Sequence, residues 1–333
     1  MTSANSKGLV DGCKRSVTYL RVSVTDRCNL HCRYCITHKT QWLPKGQVLT
    51  LEEIYRMVRI AVGLGITKVR LTGGEPLCRK DVLGLVARLS RLNGLEDLSL
   101  TTNGTLLAAK ARALRQAGLQ RINISLDTLD AAMFRQLTGS DLFEQVWRGI
   151  MAAADEGFEP VKINTVVMNG CNDAQIERLA DLSRQYPFHI RFIEYMPIGI
   201  DPHGSQDRFM PMDEVRRRLE RMGPLVPVAN GRSDGPAMRF RFENAPGEIG
   251  FIGAMSNHFC HRCNRIRLTA DGHLRPCLLS DEQVDVIGPL RSGGSDADLS
   301  TLFAETLARK GDEHHLNFCG NGVIRTQMVT IGG

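Results

Sequence analysis

Six of the ten cysteines fall into two groups of three. Cys28, Cys32 and Cys35 are spaced C-x-x-x-C-x-x-C, and Cys260, Cys263 and Cys277 are spaced C-x-x-C-x13-C. Three thiolates on one short loop hold three irons of a 4Fe–4S cluster and leave the fourth iron open, whereas an ordinary electron-transfer cluster takes four cysteines. An open iron chelates a small ligand, and S-adenosylmethionine offers an amine and a carboxylate for that purpose. One electron then cleaves its sulfonium and gives a 5′-deoxyadenosyl radical, which abstracts unactivated hydrogen. The alternative is zinc, completed by His31 or His38 in the first group and by His258, His261 or His273 in the second. Zinc sites more often pair two C-x-x-C elements. For the second group alone, zinc and a cluster fit equally well. Two groups that each stop at three thiolates favour clusters in both.

A further chemical signature is Thr72-Gly73-Gly74-Glu75-Pro76. Two adjacent glycines let the backbone approach a ligand closely, and the glutamate accepts from an ammonium. Alone, such a run is often only a turn; its weight depends on what positions it. Candidate strands are Thr18–Val24, Lys68–Thr72, Asp97–Thr101, Arg121–Leu126, Val161–Val167 and His189–Glu194. Each is short, rich in β-branched or apolar residues, and followed by a helical pattern. Helices are expected over Leu51–Leu64, where Thr50 and Glu53 make a capping box, and around Asp81–Leu92, Thr105–Ala117, Leu142–Glu156 and Asp173–Tyr186. Strand–helix units in series predict a parallel sheet with right-handed crossovers, as a partial β/α barrel or an open doubly wound sheet. Most polar signatures then crowd the carboxyl ends of the strands, where parallel β/α folds place chemistry. Cys28 follows the first strand, Gly73–Pro76 the second and Thr101–Gly104 the third; Ser125 and Asp127 close the fourth, and Glu194–Pro197 follow the sixth.

After Tyr195 this rhythm stops. The sequence predicts a basic helix over Met212–Met222, a β-hairpin from Met238–Glu243 and Glu248–Ile252, a flexible stretch over Ser292–Ser295 and a helix over Leu299–Lys310. The 333 residues, 42% hydrophobic and 23% charged, describe a soluble globular chain with room for one large α/β domain and a smaller appendage. Lys7, Asp11, Lys14 and Arg15 interrupt any signal-peptide pattern, and no stretch approaches the roughly 20 apolar residues of a membrane span. The expected location is the cytoplasm, where clustered cysteines more often bind metal or do chemistry than form disulfides. A net charge of +6 suits an anionic small substrate. No lysine/arginine block with interleaved aromatics argues for nucleic acid, and no membrane partner is expected.

The stretch Cys28 to Cys35, with Tyr34 just before its last cysteine, together with Gly73-Gly74-Glu75-Pro76, resembles the radical S-adenosylmethionine superfamily. The run Cys260-His261-Arg262-Cys263-Asn264-Arg265-Ile266-Arg267-Leu268-Thr269-Ala270-Asp271-Gly272 resembles the corresponding stretch of the GTP 3′,8-cyclase family. Leu20–Cys28 resembles that family's lead-in, and Ile331-Gly332-Gly333 its carboxyl terminus, so the resemblance runs from about Arg15 to the end. Two departures stand out. Ile36-Thr37 replaces the family's usual Met-Pro, and Cys78 replaces an aliphatic residue. Cys13, Cys78, Cys171 and Cys319 have no obvious partners and read as inert thiols.

The resemblance implies an incomplete (β/α)6 TIM-type barrel over residues 1–245 and a smaller C-terminal Fe–S domain over 246–333, with a homodimer as the assembly. It implies a lyase of molybdenum-cofactor biosynthesis that carries two 4Fe–4S clusters and uses S-adenosylmethionine. Hydrogen would leave ribose C3′ of GTP, C3′ would bond to guanine C8, and the second cluster would hold the guanine. The product, 3′,8-cyclo-7,8-dihydroguanosine 5′-triphosphate, would pass to a cyclic pyranopterin monophosphate synthase. An electron donor such as flavodoxin is implied. Carried over by position, the six named cysteines ligate the clusters. Tyr34, Gly73, Gly74, Glu75, Ser125 and Met196 border S-adenosylmethionine. Arg21, Arg70, Thr101, Lys162, Arg265, Ile266 and Arg267, with Lys68 and Arg191, meet GTP. Arg21, Arg265, Arg267 and the terminal Gly332 and Gly333 are the expected catalytic set. The rivals are another radical enzyme with an auxiliary cluster, such as a peptide maturase, and a zinc-binding module without catalysis.

Overall fold

The computed structural model describes residues 8–36, 40–198, 206–229, 231, 235–316, 324 and 326–332. Six parallel strands form where short β-branched runs alternate with amphipathic helices: β1 (Tyr19–Ser23), β2 (Lys68–Thr72), β3 (Asp97–Thr102), β4 (Arg121–Ser125), β5 (Lys162–Val167) and β6 (His189–Glu194). They pair in sequence order. Helices α1 (Leu51–Gly63), α2 (Val82–Leu89), α3 (Ala111–Gln116), α4 (Ala131–Thr138), α5 (Phe143–Asp155) and α6 (Ile176–Gln185) lie in the crossovers. Their apolar stripes and one face of the strands share one core, including Leu20, Val22, Val69, Leu71, Leu98, Leu100, Ile122 and Ile124. The expected capping box at Thr50 and Glu53 starts α1.

The sheet continues past these six strands. β7 (Leu225–Val228), β8 (Met238–Phe242) and β9 (Glu248–Ile252) extend one edge; β10 (Arg265–Leu268), β11 (His273–Arg275) and β12 (Val284–Asp285) extend the other. The order is β12-β11-β10-β1-β2-β3-β4-β5-β6-β9-β8-β7. β9 joins β6 and β10 joins β1, both in parallel. The result is a partial TIM-type barrel widened on both sides by the last third of the chain. Residues 245 and 246, where a domain boundary was expected, fall in the turn between β8 and β9 of this continuous sheet. The remaining helices are α7 (Met212–Glu220), α8 (Ile287–Arg291), α9 (Asp296–Ala308) and α10 (Met328–Ile331).

Two local differences have clear causes. Residues 105–110 turn rather than begin a helix, because the Asn103 side chain accepts from both the backbone N–H and the hydroxyl of Thr105. The stretch 292–295, expected to be flexible, ends in Ser295, whose side chain caps α9 in a box with Asp298. That cap starts the helix three residues before Leu299. Among the described residues no helix is long and apolar enough to cross a membrane.

Candidate active site

Strand alternation sends every second side chain to the face opposite the hydrophobic core. On β1 these are Tyr19 and Arg21, on β2 Lys68 and Arg70, and on β10 Arg265 and Arg267, with Tyr19 in register with Lys68 and Arg265, and Arg21 with Arg70 and Arg267. Thr101, Asn123, Lys162, Asn164 and Arg191 continue the same face across β3 to β6. Arg70 donates to Ser99 Oγ at 3.2 Å, and Lys68 pairs with Asp97 at 2.9 Å. Burial pulls Arg21 down to about 10, with Arg70 and Arg265 repelling it. Burial likewise takes Lys68 to about 8, helped by Arg121, Arg70 and Arg191 and opposed by Tyr19. Arg267 is held well below its ordinary value by burial, then by Arg21 and Arg265. So many cations in a low-dielectric space attract a polyanion. Three buried polar atoms on this face, Tyr19 Oη, Thr101 Oγ1 and Asn164 Oδ1, lack hydrogen-bond partners.

Of the expected substrate contacts, the structure brings Arg21, Lys68, Arg70, Thr101, Lys162, Arg191, Arg265 and Arg267 to this one face. The side chain of Ile266 is the exception. One residue out of phase with its neighbours, it is fully buried in the apolar core and pairs with Leu20.

The first cysteine loop leaves the carboxyl end of β1. It is pinned to the end of α4 by His31 N–H on Thr138 O and Arg33 N–H on Leu137 O. Leu30 N–H points to Cys28 Sγ at 3.5 Å and Asn103 Nδ2 at 3.7 Å. Burial raises all three thiols, Cys35 to about 12, and each feels another cysteine or carboxylate nearby. Three mutually repelling, half-buried sulfurs, with donors aimed at one of them, suit a cationic multi-iron group that neutralises them together. Among the described residues neither the three sulfurs alone nor the sulfurs with His31 gather their ligand atoms within 4.8 Å of one another. His38 and Thr37 lie outside the described residues.

Gly73 and Gly74 pack on the lead-in to this loop. Gly74 N–H donates to Thr25 O and Glu75 N–H to Arg27 O, both at 2.7 Å. A Cβ at Gly73, whose φ is +150°, would sit 2.4 Å from Thr25 O, and one at Gly74 would sit 2.3 Å from Arg27 O. Glu75 is fully buried, and its carboxylate accepts from Thr102 Oγ1 (2.8 Å), Asn103 N–H (2.6 Å) and Leu77 N–H (2.9 Å). The donors it meets belong to this chain, so it clamps β3 to the Gly-Gly turn. Tyr34 donates to Asp127 Oδ2 at 2.7 Å, and both border a cavity of about 30 Å³ shared with Cys32, Asn103 and Ser125. Met196 packs against the buried cluster of Ile198, Leu279, Leu316 and Ile324.

The second cysteine group sits at the other end of the strands. Cys260 and Cys263 precede β10, and Cys277 follows the antiparallel β11, so all three gather where β1 and β10 begin. They border a cavity of about 580 Å³ with Lys310, Arg15 and His314. Burial alone would raise the Cys263 thiol, yet Arg265 and Lys310 bring it down to about 6. A thiolate at neutral pH beside two further cysteines is a donor set for soft metal. From this end to the first cysteine loop runs about six residues of strand, roughly 20 Å. The cationic face lies between. The carboxyl tail closes on the same space: Gly332 O accepts from Arg267 Nη1 at 2.7 Å, and its Cα lies against Ser23, Thr72 and Gly73. Gly333 lies outside the described residues.

Comparison with known proteins agrees with this geometry. Residues 22–183 match the Radical SAM superfamily and 188–316 the Molybdenum Cofactor Synthesis C family. The GTP 3′,8-cyclase of Moorella thermoacetica is 49% identical over 97% of this chain and 99% of its own length. That of Pelotomaculum thermopropionicum is 46% identical over 97% and 99%, and GTP 3′,8-cyclase 2 of Pseudomonas aeruginosa is 44% identical over 98% of each. The chain belongs to the GTP 3′,8-cyclase family. Solved structures share its fold at 15% identity. Streptococcus suis SuiB bound to its precursor peptide SuiA superposes with a TM-score of 0.61 over 87% of this chain and 65% of that one. Native anSMEcpe with bound AdoMet gives 0.55 over 87% and 79%.

For a member of the GTP 3′,8-cyclase family, the sequence left several site residues unread. Tyr19 stands among the cations, Asp127 holds Tyr34, and Lys310 stands 3.7 Å from Cys263 Sγ while donating to Pro276 O at 2.7 Å. Arg15 ties the N-terminal segment to this region by donating to the carbonyls of Cys260, Gly311 and Asp312. The signal for Tyr19 was available in its phase with Arg21. Lys310 had none, because its partner lies 47 residues away.

Proposed function

We propose that this chain cyclises GTP to 3′,8-cyclo-7,8-dihydroguanosine 5′-triphosphate, the first step of molybdenum-cofactor biosynthesis. The observation that carries the reading is the buried cationic face set between two groups of three thiols. Cys28, Cys32 and Cys35 would hold a 4Fe–4S cluster, which with S-adenosylmethionine would supply the 5′-deoxyadenosyl radical needed to remove hydrogen from ribose C3′. A second cluster belongs on Cys260, Cys263 and Cys277, toward the guanine. Arg21, Lys68, Arg70, Lys162 and Arg191 neutralise the triphosphate, and fixed guanidinium forks orient it. Arg265 and Arg267 border the path from triphosphate to base, and Arg267 also holds the Gly332 carbonyl. Tyr34, Ser125 and the Gly73–Gly74 backbone border S-adenosylmethionine, with Met196 toward the second group. The enclosing sheet and the tail exclude water, which keeps a reactive ribose from quenching.

The reading also takes a flavodoxin-like electron donor, a downstream cyclic pyranopterin monophosphate synthase, a homodimer and a cytoplasmic location. Its test is anaerobic reconstitution, followed by incubation with reductant, S-adenosylmethionine and GTP. About eight irons per chain are expected, with 5′-deoxyadenosine and cyclised nucleotide formed only when GTP is present. Uncoupled 5′-deoxyadenosine with no cyclised product would overturn it.

One observation favours a second occupant at the second group. His258, Cys260 and His314 present ligand atoms within 4.8 Å of one another, and the Nε2 atoms of His258 and His314 face the carbonyls of Met255 and Ala254. Zinc there would engage only one of the three thiolates. One zinc and about four irons per chain after full reconstitution would support that occupant instead.

A further inference from the structure

Tyr19 is buried, 5% exposed, on the cationic face of β1. Its ring centroid lies 5.0 Å from Lys68 Nζ and 5.6 Å from Arg70 Cζ, within cation–π range of both. Its hydroxyl has no hydrogen-bond partner. The charged groups that act on it most, Arg21, Lys68, Arg70 and Arg265, are all cationic donors. Main-chain carbonyls nearby on β1, β2 and β10 are engaged in the ladder. A buried hydroxyl left unpaired costs free energy, and a ligand bearing acceptor oxygens relieves it at this place. A ligand attracted by four cations brings such oxygens as phosphoryl groups.

We propose that Tyr19 is a phosphate-positioning residue, whose hydroxyl donates to a phosphoryl oxygen of the nucleotide while its ring holds the Lys68 ammonium and the Arg70 guanidinium in place. This rests on the reading that the cationic face takes the triphosphate of GTP. It adds to that reading a neutral donor among the cations, with a dual task that no arginine in its place could perform.

The test is calorimetric binding of GTP and of inorganic tripolyphosphate to the reconstituted protein at pH 7, without S-adenosylmethionine, for wild type, Tyr19→Phe, Tyr19→Leu and Arg70→Met. Tyr19→Phe keeps the ring and should weaken both ligands about tenfold, the size of a hydrogen bond to a charged acceptor. In turnover it should raise KM by a similar factor and leave kcat in place. Without ligand it should melt no lower than wild type, because it removes an unpaired buried hydroxyl. Tyr19→Leu should bind more weakly still, having lost the ring. Wild-type affinity in Tyr19→Phe, or a lower melting point without ligand, overturns the proposal. Tighter binding in Tyr19→Phe would mean that the phenol acts as a competing anion, and overturns it equally. If Arg70→Met binds both ligands as wild type does, the triphosphate reading itself falls, and this inference with it.

Discussion

Arg267 is enclosed by Arg21 and Arg265, and it holds the Gly332 carbonyl with one arm of its fork. Lysine at this position keeps the charge and loses the planar fork. Arg267→Lys should therefore lower kcat/KM at least about tenfold, a loss near 1.4 kcal/mol, with iron content unchanged. Wild-type turnover would refute this. The same crowding sets a pH limit. Tyr19 and Lys68 both titrate near 8: burial would raise Tyr19, but Arg70, Arg21, Lys68 and Arg265 bring it down, while burial lowers Lys68. Below that point the phenol keeps its donor hydrogen and the lysine its positive charge. As pH rises from 7 to 9 the phenol becomes an anion and the ammonium becomes neutral, and both changes disfavour a polyphosphate. The dissociation constant for GTP should rise across this window, and Lys68→Met should flatten part of the rise. A constant affinity from pH 7 to 9 would contradict the assignment.

At the scale of elements, the Gly-Gly turn is where the strand framework meets the first cysteine loop. Alanine at Gly73 would collide with Thr25 O, and alanine at Gly74 with Arg27 O; these are backbone atoms that cannot swing aside. Either substitution should destabilise the chain by about 1–3 kcal/mol and cut iron content toward one cluster, read by denaturation and iron analysis. Full iron loading of both variants would count against it. By contrast, Thr50→Ala, which removes the α1 cap, should cost about 1 kcal/mol and leave iron content and turnover alone.

The six parallel strands were legible because their apolar runs alternate with helical stripes, and the cations announced themselves by falling on strands. α4 escaped notice because the residues between β4 and β5 read as one connection holding a single helix, whereas two fit there. β10 escaped because Arg265-Ile266-Arg267-Leu268 alternates charge with apolar residues, a pattern that reads as surface. It is in fact a strand whose charged face points into the site. Around Glu75 sequence shows a carboxylate beside two glycines but not the three donors, one of them from Thr102 on β3, that meet it in the fold.

Across the whole molecule, the tail is the piece that most separates assembly from activity. Gly332 reaches the carboxyl ends of β1 and β2 and makes its polar contact with Arg267. None of the hydrogen bonds made by Gly332 goes to a cysteine of either group. A chain lacking Gly332 and Gly333 should therefore load iron at both groups, bind S-adenosylmethionine, and lose cyclisation. Normal turnover by that truncated chain would refute this.

β1 is the first strand to be synthesised, yet one of its two neighbours is β10, made about 240 residues later. Until β10 has been made, β1 keeps one edge unpaired. Arg15 waits still longer, for the carbonyls of Cys260, Gly311 and Asp312. The wall on that side of the cationic face is therefore the last to be built, and the space it encloses stays open through most of synthesis.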